Sequence, residues 1–174
     1  MMKSCDKQIE LGRRAFLRGG AVATAGAAIA GLAPGTAHAR PAPALVEYPV
    51  TRLANLGQLQ ITTPLLIAYP DSDSPGVLLR LGTRVAGGAG PDGDIVAFST
   101  LCPHQGFALV YRPGDKSLNC PAHYSRFDCE KGGQQIHGQA TQNLAQFNLK
   151  IASNGDIFAE GVDELIYGRL SNVL

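Results

Sequence analysis

Two short stretches of this 174-residue chain carry side chains able to bind a metal, Cys102-Pro103-His104 and Cys120-Pro121-Ala122-His123, with fifteen residues between them. Each offers one sulfur and one imidazole from a Pro-containing loop. Beyond residue 39 the chain holds three Cys and three His, so four of those six fall in the two pairs. Two Cys and two His can bind zinc tetrahedrally. Zinc modules, however, usually pair like with like along the chain, whereas each stretch here mixes one of each. The mixture suits a 2Fe–2S cluster in which one iron takes both thiolates and the other both imidazoles. Two neutral imidazoles in place of two thiolates make such a cluster less negative. That favours the reduced form and raises the potential over an all-Cys cluster.

The elements that must hold these stretches read as strands. Residues 65–69, 77–81 and 95–98 are short apolar runs bounded by Gly or Pro, and Ser117–Asn119 is a further strand-like run just before Cys120. Residues 145–151 alternate apolar and polar at every step, the pattern of a half-buried strand. Asn154-Gly155 then predicts a tight hairpin into residues 157–159, with positive φ at both turn positions. Residues 111–115 supply a turn between the two Cys–His stretches. Beyond the leader no segment sustains a helical period over three turns, and no repeat or low-complexity tract is present. The fold class is therefore all-β: a small sandwich with long inserted loops. The Gly-rich segment 86–94 lacks the Lys-Ser/Thr ending of a phosphate loop and precedes no helix, so it reads as a flexible connection.

The composition fits that class. Eleven aromatics, no Trp, 21 Gly and 11 Pro suit a loop-rich β protein, and the length allows one domain with one core. Fifteen bases against fourteen acids give no basic field for nucleic acid. The charge is asymmetric. Residues 1–39 hold five bases and two acids, leaving a net of −2 on residues 40–174. Gly12-Arg13-Arg14-Ala15-Phe16-Leu17-Arg18 resembles the twin-arginine export motif, followed by 21 uncharged residues, 19–39. That stretch is mostly Ala, Gly and Thr and is interrupted by Pro34. Ala37-His38-Ala39 has the small-x-small form of a cleavage site. Residues 1–39 are thus expected to be a twin-arginine signal peptide removed after Ala39, with no permanent membrane anchor and a periplasmic mature chain. Residues 40–43 read as a stiff linker. Because twin-arginine export carries folded proteins, it favours a cofactor inserted before export.

At the two Cys–His stretches the sequence resembles the Rieske family, whose loops read C-x-H and C-x-x-H. The resemblance implies a Rieske-type antiparallel β-sandwich over residues 40–174, with an inserted cluster-binding subdomain at about 100–128. It implies one 2Fe–2S cluster with Cys102 and Cys120 on one iron and His104 and His123 on the other. Respiratory members carry an extra Cys in each loop, joined as a disulfide; here those positions are Phe107 and Ala122. Phe107 is expected to fill the space of the missing disulfide. Two hydroxyls in respiratory members donate to cluster sulfurs; the matching positions are Ser125 and Phe127, so one donor is kept and one is lost. A potential below that of disulfide-containing members follows, and Phe127 doubles as a core residue.

The resemblance extends to residues 130–135, to Gly138-Gln139-Ala140-Thr141-Gln142-Asn143-Leu144 and to the tail 160–170. Together with the leader these are similar to the small subunit of bacterial arsenite oxidase. That implies a one-electron-transfer subunit paired with a molybdenum-containing large catalytic subunit. The electrons would pass on to a soluble cytochrome c or a small copper protein. This chain would have no substrate-converting site of its own. A Rieske subunit of a quinol-oxidising cytochrome complex and a zinc-binding structural module are the alternatives. The missing disulfide and the weakly apolar leader count against the first.

Three features remain. His137 reads as a packed or solvated loop histidine rather than a proton relay. Cys129 reads as an ordinary half-buried thiol, with only Lys131 nearby to lower its pKa. Asp163-Glu164 is expected to cap a last helical turn exposing Leu165, Ile166 and Leu170, which either close the protein's own core or, the slightly favoured reading, dock on a partner.

Overall fold

The computed structural model describes residues 48–168. The leader, the 40–43 linker and Leu170 lie outside the described residues. Among the described residues ten strands form three antiparallel sheets: β1 (Thr51–Asn55), β10 (Asp156–Val162) and β9 (Phe147–Ile151) in the first; β2 (Leu65–Ala68), β3 (Pro75–Arg80) and β4 (Ile95–Ser99) in the second; β5 (Val110–Arg112), β6 (Ser117–Asn119), β7 (Arg126–Asp128) and β8 (Gln134–His137) in the third. The third sheet is one contiguous insertion between β4 and β9. Two 3-10 turns, Leu56–Gln58 and Cys129–Lys131, are the only helical elements among the described residues. No helix among them is long and apolar enough to cross a membrane.

The middle sheet explains the continuous apolar runs. Val77, Leu79, Val96 and Phe98 face a core shared with Leu118, Phe127, Cys129 and Leu144. Leu78, Ile95 and Ala97 face the opposite way, onto Phe147, Ile157 and Ala159. A strand with both faces covered has no polar side to alternate with, whereas β9, a partly exposed strand, keeps its alternation. Each fully buried Val, Leu, Ile or Phe contributes about 1.5–3 kcal/mol, so this doubly covered sheet anchors both the outer sheet and the insertion. Sheets one and two also join directly through the Phe98–Gln146 bridge and the bond from Ser99 N–H to Ala145 O at 3.0 Å.

Four local expectations change. The hairpin between β9 and β10 forms, but only Gly155 takes positive φ, at +85°. Gly155 N–H bonds Ala152 O and Ala152 N–H bonds Asp156 O, so the loop is longer than a two-residue turn. Tyr111 and Arg112 pair within β5, opposite Leu118 and Ser117, and the turn covers only 113–116. Residues 163–164 form a bend and no helical turn, and Ile166 is buried in the core with Tyr69 and Phe147 rather than offered for docking. The 86–94 segment is tied down by its own turns, with Val85 N–H on Gly93 O at 2.9 Å and Gly93 N–H on Gly90 O at 3.1 Å.

Candidate metal centre

The two Cys–His stretches are built on one backbone frame. In the first, between β4 and β5, Cys102 N–H donates to Phe107 O at 2.9 Å and Cys102 O accepts Gly106 N–H at 2.7 Å. In the second, between β6 and β7, Cys120 N–H donates to Ser125 O at 2.8 Å and Cys120 O accepts Tyr124 N–H at 3.1 Å. Each cysteine thus bonds the carbonyl five residues on and the amide four residues on. The frame needs a left-handed residue at its fourth step. Gly106 supplies it at φ +72° without strain; Tyr124 supplies it at φ +60°, a conformation that costs a residue with a Cβ about 1–2 kcal/mol. The Pro in each loop fixes φ one step after the cysteine.

These frames bring the side chains together as two pairs, thiol with thiol and imidazole with imidazole. Cys102 and Cys120 are almost completely buried, at 1% and 2% exposure. The His104 and His123 rings meet edge to face with centroids 4.8 Å apart. Both imidazoles present a buried Nδ1 that has no hydrogen-bond partner. A buried nitrogen left unpaired costs about 1–3 kcal/mol, and two such atoms beside two buried thiols make an incomplete constellation. Burial pushes the Cys102 thiol up; the backbone amides of His104 and Gln105 pull it down, and the Cys120 thiol adds to the rise. Among the described residues no three His, Cys, Asp or Glu side chains converge as ligands of a single ion. A cluster of two irons asks for two donors on each iron. The donor set and the two orphaned nitrogens fit it.

The surroundings are apolar on the sulfur side. Phe127 is fully buried in the same core as Cys102, Cys120, Leu118 and Cys129, which makes it a core residue as anticipated. Ser125 is also fully buried. Cys129 is not half-buried but entirely so, and burial, reinforced by Asp128, pushes its thiol up to about 12. On the imidazole side the surface opens. Phe107 touches His123 edge to face at 5.7 Å, yet it stays 48% exposed and so lies over the second loop rather than filling an interior gap. Ala122 packs against the core from the second loop. His137 sits exposed on β8, lining a cavity of about 590 Å³ with Arg112, Cys120, Tyr124 and Arg126.

Some participants carried no readable signal. Ser125 Oγ accepts two backbone amides, from Gln139 and Ala140, which belong to the segment between β8 and β9. Tyr167 of the tail lies over Gly106; a Cβ at Gly106 would stand 2.3 Å from its ring. Gln142 ties the same segment to the tail by donating to Leu165 O at 2.9 Å. Main-chain donors and a tail folding back onto a loop leave no residue-type signature.

Residues 69–148 match the family model described as the Rieske [2Fe-2S] domain. The iodate reductase subunit IdrB of Denitromonas iodatirespirans is 40% identical over 166 residues, covering 93% of this chain and 86% of the relative. The IdrB subunit of Pseudomonas sp. (strain SCT) is 37% identical, covering 91% and 82%. Among solved structures, the soluble domain of the Rieske protein II (soxF) from Sulfolobus acidocaldarius superposes with a TM-score of 0.64 at 26% identity, covering 71% of this chain and 83% of that one.

Proposed function

Because the chain belongs to the Rieske [2Fe-2S] family, whose domain implies a 2Fe–2S cluster, we propose that it is the one-electron-transfer subunit of a periplasmic, molybdenum-dependent oxidoreductase. Cys102 and Cys120 would hold one iron and His104 and His123 the other. The cluster, when bound, supplies reversible one-electron chemistry. The chain's own residues do the rest. The two matched loop frames fix the cysteine backbones, and the core around Phe127 and Leu118 keeps water from the sulfur side. The partly exposed imidazoles, flanked by Phe107 and Tyr124, form the port toward a partner. The observation that carries this reading is the pair of buried, unpartnered Nδ1 atoms beside two buried thiols.

The finer reading is the small subunit of an arsenite oxidase, exported by the twin-arginine route as a heterodimer with its large subunit. It would pass electrons singly to a soluble cytochrome c or a small copper protein. The leader, the lack of a disulfide position and the similarity of the 138–144 segment and the tail support it. A second reading, favoured by the 40% identity to an iodate reductase subunit, has electrons running the other way, into an iodate-reducing partner. The complex purified from its native host distinguishes them. Arsenite-dependent reduction of cytochrome c is the expected result. Iodate-dependent oxidation of the reduced cluster, without arsenite turnover, would replace the first reading by the second. Substrate turnover by this chain alone would contradict both.

A further inference from the structure

A hydroxyl oxygen has two lone pairs and one proton. In Ser125 both lone pairs are used: Oγ accepts the backbone N–H of Gln139 and that of Ala140, each at 3.0 Å. Its proton is therefore the only hydrogen-bonding capacity left, and among the described residues no acceptor receives it. Ser125 is fully buried, and its carbonyl closes the loop frame on Cys120 N–H. A buried donor without an acceptor is costly. By the resemblance to respiratory Rieske members, the acceptor for this hydroxyl would be a sulfur of the cluster that Cys120 and its neighbours would hold.

The two amides reach Ser125 because of Gly138. At φ +97°, a Cβ on Gly138 would lie 2.4 Å from Ser125 Cα, 2.5 Å from its N and 2.8 Å from its Oγ. Only glycine allows that approach. The segment is then bolted in place. Gln135 Nε2 donates to Gly138 O at 3.2 Å, Asn143 Oδ1 accepts Gln135 N–H at 3.1 Å, and Ala140 and Leu144 are buried in the core.

We propose that the 138–140 backbone is a positioning device for the Ser125 hydroxyl. By filling both lone pairs it fixes the rotor and polarises the O–H. Its proton is thereby committed to a cluster sulfur, and the reduction potential rises. The inference rests on the reading that Cys102, His104, Cys120 and His123 hold the cluster.

The test is the reduction potential of the cluster-loaded full chain, by protein-film voltammetry, in wild type, Ser125→Ala, Gln139→Pro and the double variant. Proline at 139 deletes one amide donor and leaves the hydroxyl intact. Both single variants are expected to shift the potential down. The double variant is expected to equal Ser125→Ala, because the amide has nothing to act on once the hydroxyl is gone. A wild-type potential in Gln139→Pro would overturn the proposal. So would an equal downward shift when proline is added to Ser125→Ala. Gly138→Ala is the independent variant, expected to lower the potential and change the paramagnetic resonance g values with iron content retained. An unchanged potential there would also overturn it. A wild-type chain that takes up no cluster would instead contradict the functional reading beneath.

Discussion

The ring of Phe107 stands edge-on to the imidazole of His123, with centroids 5.7 Å and planes 82° apart. One side chain of the first loop thereby bears on a proposed iron ligand of the second. Respiratory relatives, by the resemblance of the two loops, place a disulfide at this junction. Here Phe107 and Ala122 occupy those positions, and the contact between the loops is this solvent-exposed ring pair with His123.

Phe107→Ala removes that contact. Aromatic pairs contribute about 0.5–1.5 kcal/mol beyond their buried area, so the variant is expected to lose its cluster severalfold faster on warming while the sheets stay folded. Bleaching of cluster absorbance against time measures it. A wild-type bleaching rate would mean that the ring does not brace the loops.

Tyr124 holds a left-handed backbone that its counterpart Gly106 adopts freely, and its ring is 71% exposed. Tyr124→Gly removes the strain and little packing. It is expected to stabilise the chain by about 1 kcal/mol, read as a higher urea midpoint. A lower midpoint would show that the ring contributes more than its exposure suggests.

Much of this was legible in the residues. The Cys–His pairs announced a metal centre because mixed soft and imidazole donors at such spacing have few other uses. Residues 77–81 and 95–98 announced strands through β-branched and apolar runs, though not that both faces would be covered. Strands β5, β7 and β8 were hidden. They are three or four residues long, and Arg126-Phe127-Asp128 or Gln134-Gln135-Ile136-His137 carries too few apolar positions to show a period. Ile166 was misjudged because burial depends on where the tail returns, which no local pattern encodes.

By the resemblance to respiratory Rieske members, Phe127 fills the position of a second hydroxyl donor, and it is fully buried in one core with Cys102 and Cys120. Phe127→Tyr is expected to raise the reduction potential if the ring keeps its place. Burying the new hydroxyl also costs about 1–3 kcal/mol wherever it lacks a partner. Voltammetry and thermal unfolding on one preparation separate the two effects. A loss of stability without a rise in potential would place the new oxygen away from the cluster.

Cys129 gives the stability a pH dependence. Its thiol is pushed up to about 12 in the fold, against about 8.5 when unfolded. The neutral thiol's contribution is complete below pH about 8.5 and is lost as pH rises toward the folded value. Tyr111, also pushed up to about 12 by burial, steepens the fall above pH about 10. The urea midpoint should therefore decline through the alkaline range, and Cys129→Ala should decline less steeply, whatever its stability at pH 7. Parallel slopes would remove Cys129 from the effect.

The most direct measurement is pulsed electron paramagnetic resonance on the reduced, purified chain, in wild type, His104→Ala and Cys120→Ala. The wild type is expected to give a spin-half signal coupled to two imidazole nitrogens, with two irons and two sulfides per chain. Both variants are expected to lose the cluster, because no disulfide remains among Cys102, Cys120 and Cys129 to hold the loops. A colourless wild type that binds zinc, or a variant with its full iron and sulfide complement, would contradict the assignment.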